Sequence, residues 1–154
     1  MEMTELFHGL DDGEAQDIRS LAVRVELEPG QRLFRLGDEA DRLFVVERGR
    51  IALTLPLKVR EREEDVLVEE RLPGQAFGWS ALIPPHHFTL TAGAPVDSAV
   101  LALPRAALHA HFAARPSVGY LVTRNLAAIV GHRLQVVQAM WLREVQRVVA
   151  QRCA

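Results

Sequence analysis

The sequence offers little for covalent or metal-assembled structure. Its one cysteine, Cys153, excludes an intrachain disulfide and fits a reducing compartment. No apolar run approaches the length of a bilayer span. The opening stretch MEMTELFHGLDDGE is acidic where a signal peptide would be basic and then apolar. A cytoplasmic location without membrane attachment is therefore expected. Neither sign of charge dominates: 18 Lys and Arg stand against 20 Asp and Glu, for a net charge of −2. That balance excludes a global attraction to phosphate backbones or anionic lipid. Low-complexity segments are lacking, and so is any Ser-His-Asp constellation or paired carboxylate site. His86 and His87 lie in a Pro-Pro loop, and His109 and His111 are spaced so that a helix would not bring them face to face. No Cys or carboxylate joins them at metal-ligand spacing, so solvated side chains are favoured over metal ligands. No catalytic residue, metal or cofactor is assigned.

What is present is one domain's worth of ordinary globular chain, with 154 residues, 49% of them apolar. Asp11 followed by Glu14 is a capping-box signature, and Ala15, Ile18 and Leu21 recur at helical spacing, which predicts a helix over 11–22. From Val23 the period changes to two: Val23, Val25 and Leu27 alternate with charged residues, then Pro29-Gly30 turns the chain. Leu33-Phe34 closes at Gly37-Asp38. The run Leu43-Phe44-Val45-Val46 suits a strand buried on both faces. After Gly49 a second alternating set follows, with Ile51, Leu53, Leu55 and Leu57, and the charged stretch 60–65 is expected at the tip of a hairpin. Val66 to Leu72 forms the returning strand, and Ala99 to Leu103 the last one. The expected fold is mainly β with flanking helices: a jelly-roll barrel over 23–103, then a short and a long helix over 104–153.

Pro104 suits the first turn of the short helix, and Pro116-Ser117 starts the long one. Along the long helix Val130, Leu134, Val137, Trp141, Val145 and Val148 form a stripe at three- and four-residue spacing. A stripe this long exceeds what a small barrel can cover, and a homodimer through these helices is favoured over simple packing on the barrel.

The order of short helix, glycine-punctuated barrel, short helix and long helix resembles the cyclic-nucleotide-binding domain family, the sensor half of catabolite activator and fumarate-nitrate regulator proteins. The resemblance runs from about Leu6 to Leu142. It is carried by Leu6-Phe7-His8-Gly9-Leu10, by the ordered set Pro29-Gly30, Leu33-Phe34, Gly37-Asp38, Leu43 to Val46 and Gly49, and by Phe77-Gly78. It implies a phosphate-binding cassette after Phe77-Gly78, a short helix whose amides face a cyclic phosphate. In the family a Glu directly after the Gly binds the ribose, and an Arg before the next strand pairs with the phosphate.

Here Trp79 stands at the Glu position, and Phe88, ahead of Leu90-Thr91-Ala92, at that of the Arg. The cassette residues implied are Phe77, Gly78, Trp79, Ser80, Ala81, Leu82, Phe88 and Thr89. Val137 and Gln138 fall where the catabolite activator's long helix offers hydroxyls to the base. With three recognition elements replaced, ordinary cAMP or cGMP binding is not expected, since losing a buried Arg–phosphate pair alone costs on the order of several kcal/mol. Trp79 and Phe88 either line an apolar pocket for another ligand or fill the vacated space, and the sequence weighs the two evenly. Ser80 and the neighbouring amides retain the means to hold an anion if the short helix survives.

Arg115, Arg124, Arg133, Arg143, Arg147 and Arg152 make the C-terminal region basic, a bias best read as a solvated helix face. With the chain ending at Ala154, no DNA-binding domain is expected, hence no direct DNA reading. The leading expectation is a non-enzymatic regulatory module that acts through an unidentified protein partner. The alternative is a sensor of a nucleotide, haem or other small ligand that moves the long helix. A cupin-like metal enzyme ranks third, because the histidines lie mostly outside the strands.

Overall fold

A computed structural model describes residues 5–153, so Met1–Thr4 of the acidic opening stretch and Ala154 lie outside the described residues. The chain begins with a 3-10 turn over Glu5–Phe7 that buries Leu6 and Phe7. Helix α1 (Asp12–Arg19) starts from the expected capping box: Asp11 Oδ1 accepts from the Glu14 amide at 2.7 Å, and Glu14 Oε1 accepts from the Asp11 amide at 3.1 Å. It stops before the expected residue 22. Ser20 turns its hydroxyl back to the Asp17 carbonyl at 2.6 Å, a local bond that competes with helix continuation.

Eight strands follow: β1 (Val23–Leu27), β2 (Arg32–Phe34), β3 (Arg42–Arg48), β4 (Ile51–Val59), β5 (Arg62–Arg71), β6 (Ala76–Phe77), β7 (Thr91–Gly93) and β8 (Ser98–Pro104). They pair antiparallel into two four-stranded sheets, ordered β1-β8-β3-β6 and β2-β7-β4-β5. This is the expected jelly roll. Leu43, Phe44, Val45 and Val46 are all buried, as a central strand covered on both faces requires. At Gly49 the chain passes from β3 to β4 at φ +78°, where a Cβ would lie 2.3 Å from Ser98 Oγ and 2.5 Å from the Asp97 carbonyl. Only glycine meets both conditions.

Alternation left the burial of two residues open, and one local expectation changes. Val23 is exposed and only Leu27 of its alternating set is buried. Leu57 is exposed because β7 pairs with β4 only over Ala52–Thr54, and beyond that β4 and β5 continue as a two-stranded ribbon. The charged stretch 60–65 is not wholly a hairpin tip: Arg62 to Asp65 already pair with Val59 to Pro56.

Pro104 ends β8 in extended conformation, opposite Arg42, and caps helix α2 (Arg105–Ala114) from outside its first turn. Pro116 occupies the first turn of α3 (Pro116–Arg152), where its missing N–H has no intrahelical partner to lose. The first part of α3 packs on the opening turn and α2 and buries Val118, Val122 and Leu126. Asn125 Nδ2 reinforces this by donating to the Leu6 carbonyl at 2.9 Å and the His8 carbonyl at 2.8 Å. From Leu134 onward α3 is exposed along its whole length. Among the described residues no helix is long and apolar enough to cross a membrane.

Candidate functional site

The cassette begins where β6 meets β3, with Phe77 opposite Phe44 in the ladder. Gly78 follows at φ +75°, a left-handed conformation in which a Cβ would press on Phe44 at 3.1 Å and Phe88 at 3.2 Å. Trp79, Ser80, Ala81 and Leu82 form one 3-10 turn. Ala81 is buried, and Trp79 and Leu82 pack part-buried on the core. The Ser80 carbonyl accepts from His86 Nδ1 at 3.0 Å, which ties the turn to the following Pro-Pro loop. Thr89 is exposed.

Phe88 leaves this loop and points inward, 5% exposed. Its backbone is held by two bonds to the β2–β3 connection, from its amide to the Asp38 carbonyl at 2.9 Å and from the Gly37 amide to its carbonyl at 2.8 Å. Its ring stacks on Phe34 with centroids 3.6 Å apart. Phe34 in turn lies 5.6 Å from Phe44 and 6.2 Å from Phe77, and those two are 5.2 Å apart. Four phenylalanines thus make one aromatic body beside the cassette turn. The space left between Phe34, Trp79, Phe88 and Arg133 is about 20 Å³. That admits about one water, whereas small-molecule pockets measure roughly 300 Å³ or more. Trp79 and Phe88 therefore leave little open space between them.

The α3 residue against the cassette is Arg133, rather than Val137 or Gln138. Its guanidinium carbon sits 4.1 Å from the Trp79 ring centroid. Val137, four residues further on, lines a groove between α3 and β5, and Gln138 is exposed. Arg133 also pairs with Glu69 of β5. Glu69 lies 3.0 Å from Arg71, and Arg71, buried, reaches Glu5 at 3.3 Å. Two guanidinium cations and two carboxylates alternate along this chain of contacts. Burial pushes the Arg133 guanidinium down from its ordinary range, and the negative charge of Glu5 opposes that push. An arginine so placed remains a cation, and partly removed from water it needs the carboxylate and the ring face that surround it.

Residue pattern alone missed Phe34 and Phe44 as cassette-lining groups, and Glu5, Glu69, Arg71 and Arg133 as a network. The spacing of Glu69 and Arg71 by two on one strand was a signal for part of it, since such residues share a face. Among the described residues no three His, Cys, Asp or Glu side chains gather as a metal site.

The stripe Leu134, Val137, Trp141, Val145 and Val148 is exposed, with Trp141 at 64% and Leu134 at 56%, while Val130 is part-buried against the core. The groove of about 970 Å³ beside it is walled by Ile129, Val136, Val137, Met140 and Trp141 of α3 and by Leu55, Val66 and Val68 of the ribbon.

Comparison with known proteins agrees with the fold. The family described as cyclic nucleotide-binding domain matches residues 24–115. The N-terminal domain of a transcriptional regulator from Streptomyces coelicolor is 27% identical, with a TM-score of 0.73, over 87% of this chain and 92% of that one. The catabolite activator protein of Thermus thermophilus is 28% identical, with a TM-score of 0.75, over 88% of this chain but only 60% of its own. A putative cyclic nucleotide-binding protein from Geobacter metallireducens is 27% identical, with a TM-score of 0.67, over 84% of this chain and 91% of that one. No curated protein matches the sequence.

Proposed function

This chain belongs to the cyclic nucleotide-binding domain family, and from that premise we propose that it is a regulatory module with a closed cassette, which works through protein contacts and not through cyclic-nucleotide binding. The observation that carries the reading is the Phe34–Phe88 stack. The ring at the position where the family places its phosphate-binding Arg is packed face to face on the barrel's own core. A cyclic nucleotide would have to displace that ring, enter without a charge-assisted partner, and separate Trp79 from Arg133. Each step opposes binding, and no contact in the cassette offsets them.

The contacts we assign to signalling lie on α3 and the β4–β5 ribbon. Both present apolar side chains to one groove, and a free two-stranded ribbon is only marginally stable by itself. A second copy of the chain fits this surface. From Pro116 to Cys153 the sequence has five arginines, with Glu144 as its single acidic residue, and the ribbon tip over 58–65 sets Glu61, Glu63, Glu64 and Asp65 beside Lys58, Arg60 and Arg62. The match between copies therefore rests on the apolar side chains that line the groove. Regulation in this reading comes from a dimer in the cytoplasm that presents the helix pair to a further protein, with no catalytic step.

Calorimetry and thermal shift with cAMP, cGMP and cyclic dinucleotides test the closed cassette. The expected result is no heat and no shift at millimolar ligand. A saturable signal with any of them overturns the reading in favour of a ligand sensor.

A further inference from the structure

The long helix changes character near its middle. Up to Leu126 it is anchored by buried apolar residues and by Asn125, and beyond Val130 no residue of α3 is buried. Two features mark the crossing. Gly131 lies within the helix with nothing inside 4 Å of where its Cβ would be, so no neighbour requires a glycine there. Glycine in a helix interior weakens it relative to alanine, through backbone freedom. Arg133 comes two residues later and is the last strong tie between α3 and the barrel, stacked on Trp79 and paired with Glu69.

We propose that these residues form a hinge and a clasp: Gly131 is the point at which α3 can bend, and the Trp79–Arg133–Glu69 contact fixes the direction in which the distal half of the helix leaves the barrel. The two partners of Arg133 come from separate elements, the cassette turn and β5. Glu69 is itself held through Arg71 to Glu5 of the opening turn. Seating the guanidinium therefore registers the helix against both sheets and the opening turn at once. No ligand is needed, because side chains of the chain itself make the connection. Without the clasp, the stretch from His132 to the end of α3 at Arg152 would be about 30 Å of rod, at 1.5 Å per residue, free to swing about Gly131. The inference rests on the closed cassette proposed above, since a ligand seated there would part Trp79 from Arg133.

Hydrogen exchange on the full chain, read by mass spectrometry with sedimentation on the same samples, tests it. In the wild type, amides of residues 131–140 should be protected equally with and without cAMP. Arg133→Ala and Trp79→Leu should each speed exchange there by about tenfold, the scale of a half-buried cation–π contact, and leave residues 118–126 unchanged. The double variant should be no faster than the quicker single. Gly131→Ala placed in the Arg133→Ala chain should recover part of the protection. Arg133→Lys, which keeps the charge but not the planar stack, should fall between, and it secures the test if the alanine variant folds poorly. Unchanged exchange in Arg133→Ala, additive effects in the double variant, or acceleration that depends on protein concentration would each overturn the hinge and clasp. A wild type that binds cAMP in calorimetry overturns the closed cassette instead, so the two failures read out separately.

Discussion

Phe34 of β2 and Phe88 of the cassette loop lie face to face, with centroids 3.6 Å apart and ring planes within 10°. One comes from the first third of the barrel and the other from a loop after its sixth strand, and their contact makes the cassette loop part of the core. Removing Phe88 should therefore behave as a core deletion. Phe88→Ala is expected to cost about 3–5 kcal/mol in urea unfolding. A loss under about 1 kcal/mol would show that the ring is not packed as part of the core.

Glycine positions offer a second test, because two of them share a backbone conformation and differ in surroundings. Gly30 is at φ +84° with open space around it, while Gly49 at φ +78° faces Ser98 and Asp97. Gly30→Ala should cost about 1 kcal/mol from backbone strain alone. Gly49→Ala should cost more than about 2 kcal/mol, since the strain is joined by overlap with the neighbouring strand. Equal losses at the two sites would contradict the close approach at Gly49.

The exposed stripe on α3 predicts a change of mass without a change of fold. Trp141→Glu should leave the circular dichroism spectrum intact and shift sedimentation toward the 17.2 kDa monomer. A wild type that already sediments as a monomer would remove the self-association reading altogether.

Near the end of α3, Arg147 Nε donates to Glu144 at 3.1 Å, and this bond holds the Glu144 carboxyl below its ordinary value of 4.5. A carboxyl whose value is lower in the folded state stabilises above its unfolded value and loses that contribution as pH falls through the folded one. Amide resonances of residues 144–148 should thus show loosening of the last turns only below pH 4.5. The transition should vanish in Glu144→Gln and shrink with added salt, because both side chains are exposed. Loosening above that range would point to another group.

Much of the barrel was written locally. Asp11 and Glu14 announced their capping box, Leu43 to Val46 announced a doubly covered strand, and glycines 30, 37 and 49 all take positive φ. These features depend on a residue and its near neighbours, and so period and turn chemistry reach them. The exposure of Val23 and Leu57 lay beyond their reach, because alternation gives a strand two faces but does not say whether a neighbour covers either one. In the cassette, sequence order placed Trp79 and Phe88 where recognition groups would stand, and left open whether they line a space or fill it.

That choice belonged to the tertiary structure. It depends on Phe34 and Phe44, far away in sequence, arriving on the same side of two packed sheets. The same holds for α3: its stripe was visible as a pattern, but its rotation about the helix axis was not. Rotation is set by Leu126 and Asn125 docking on the opening turn, and it is what brings Arg133, and not Val137 or Gln138, onto the ring of Trp79. Local propensity selects the elements, whereas long-range packing decides which side chains meet.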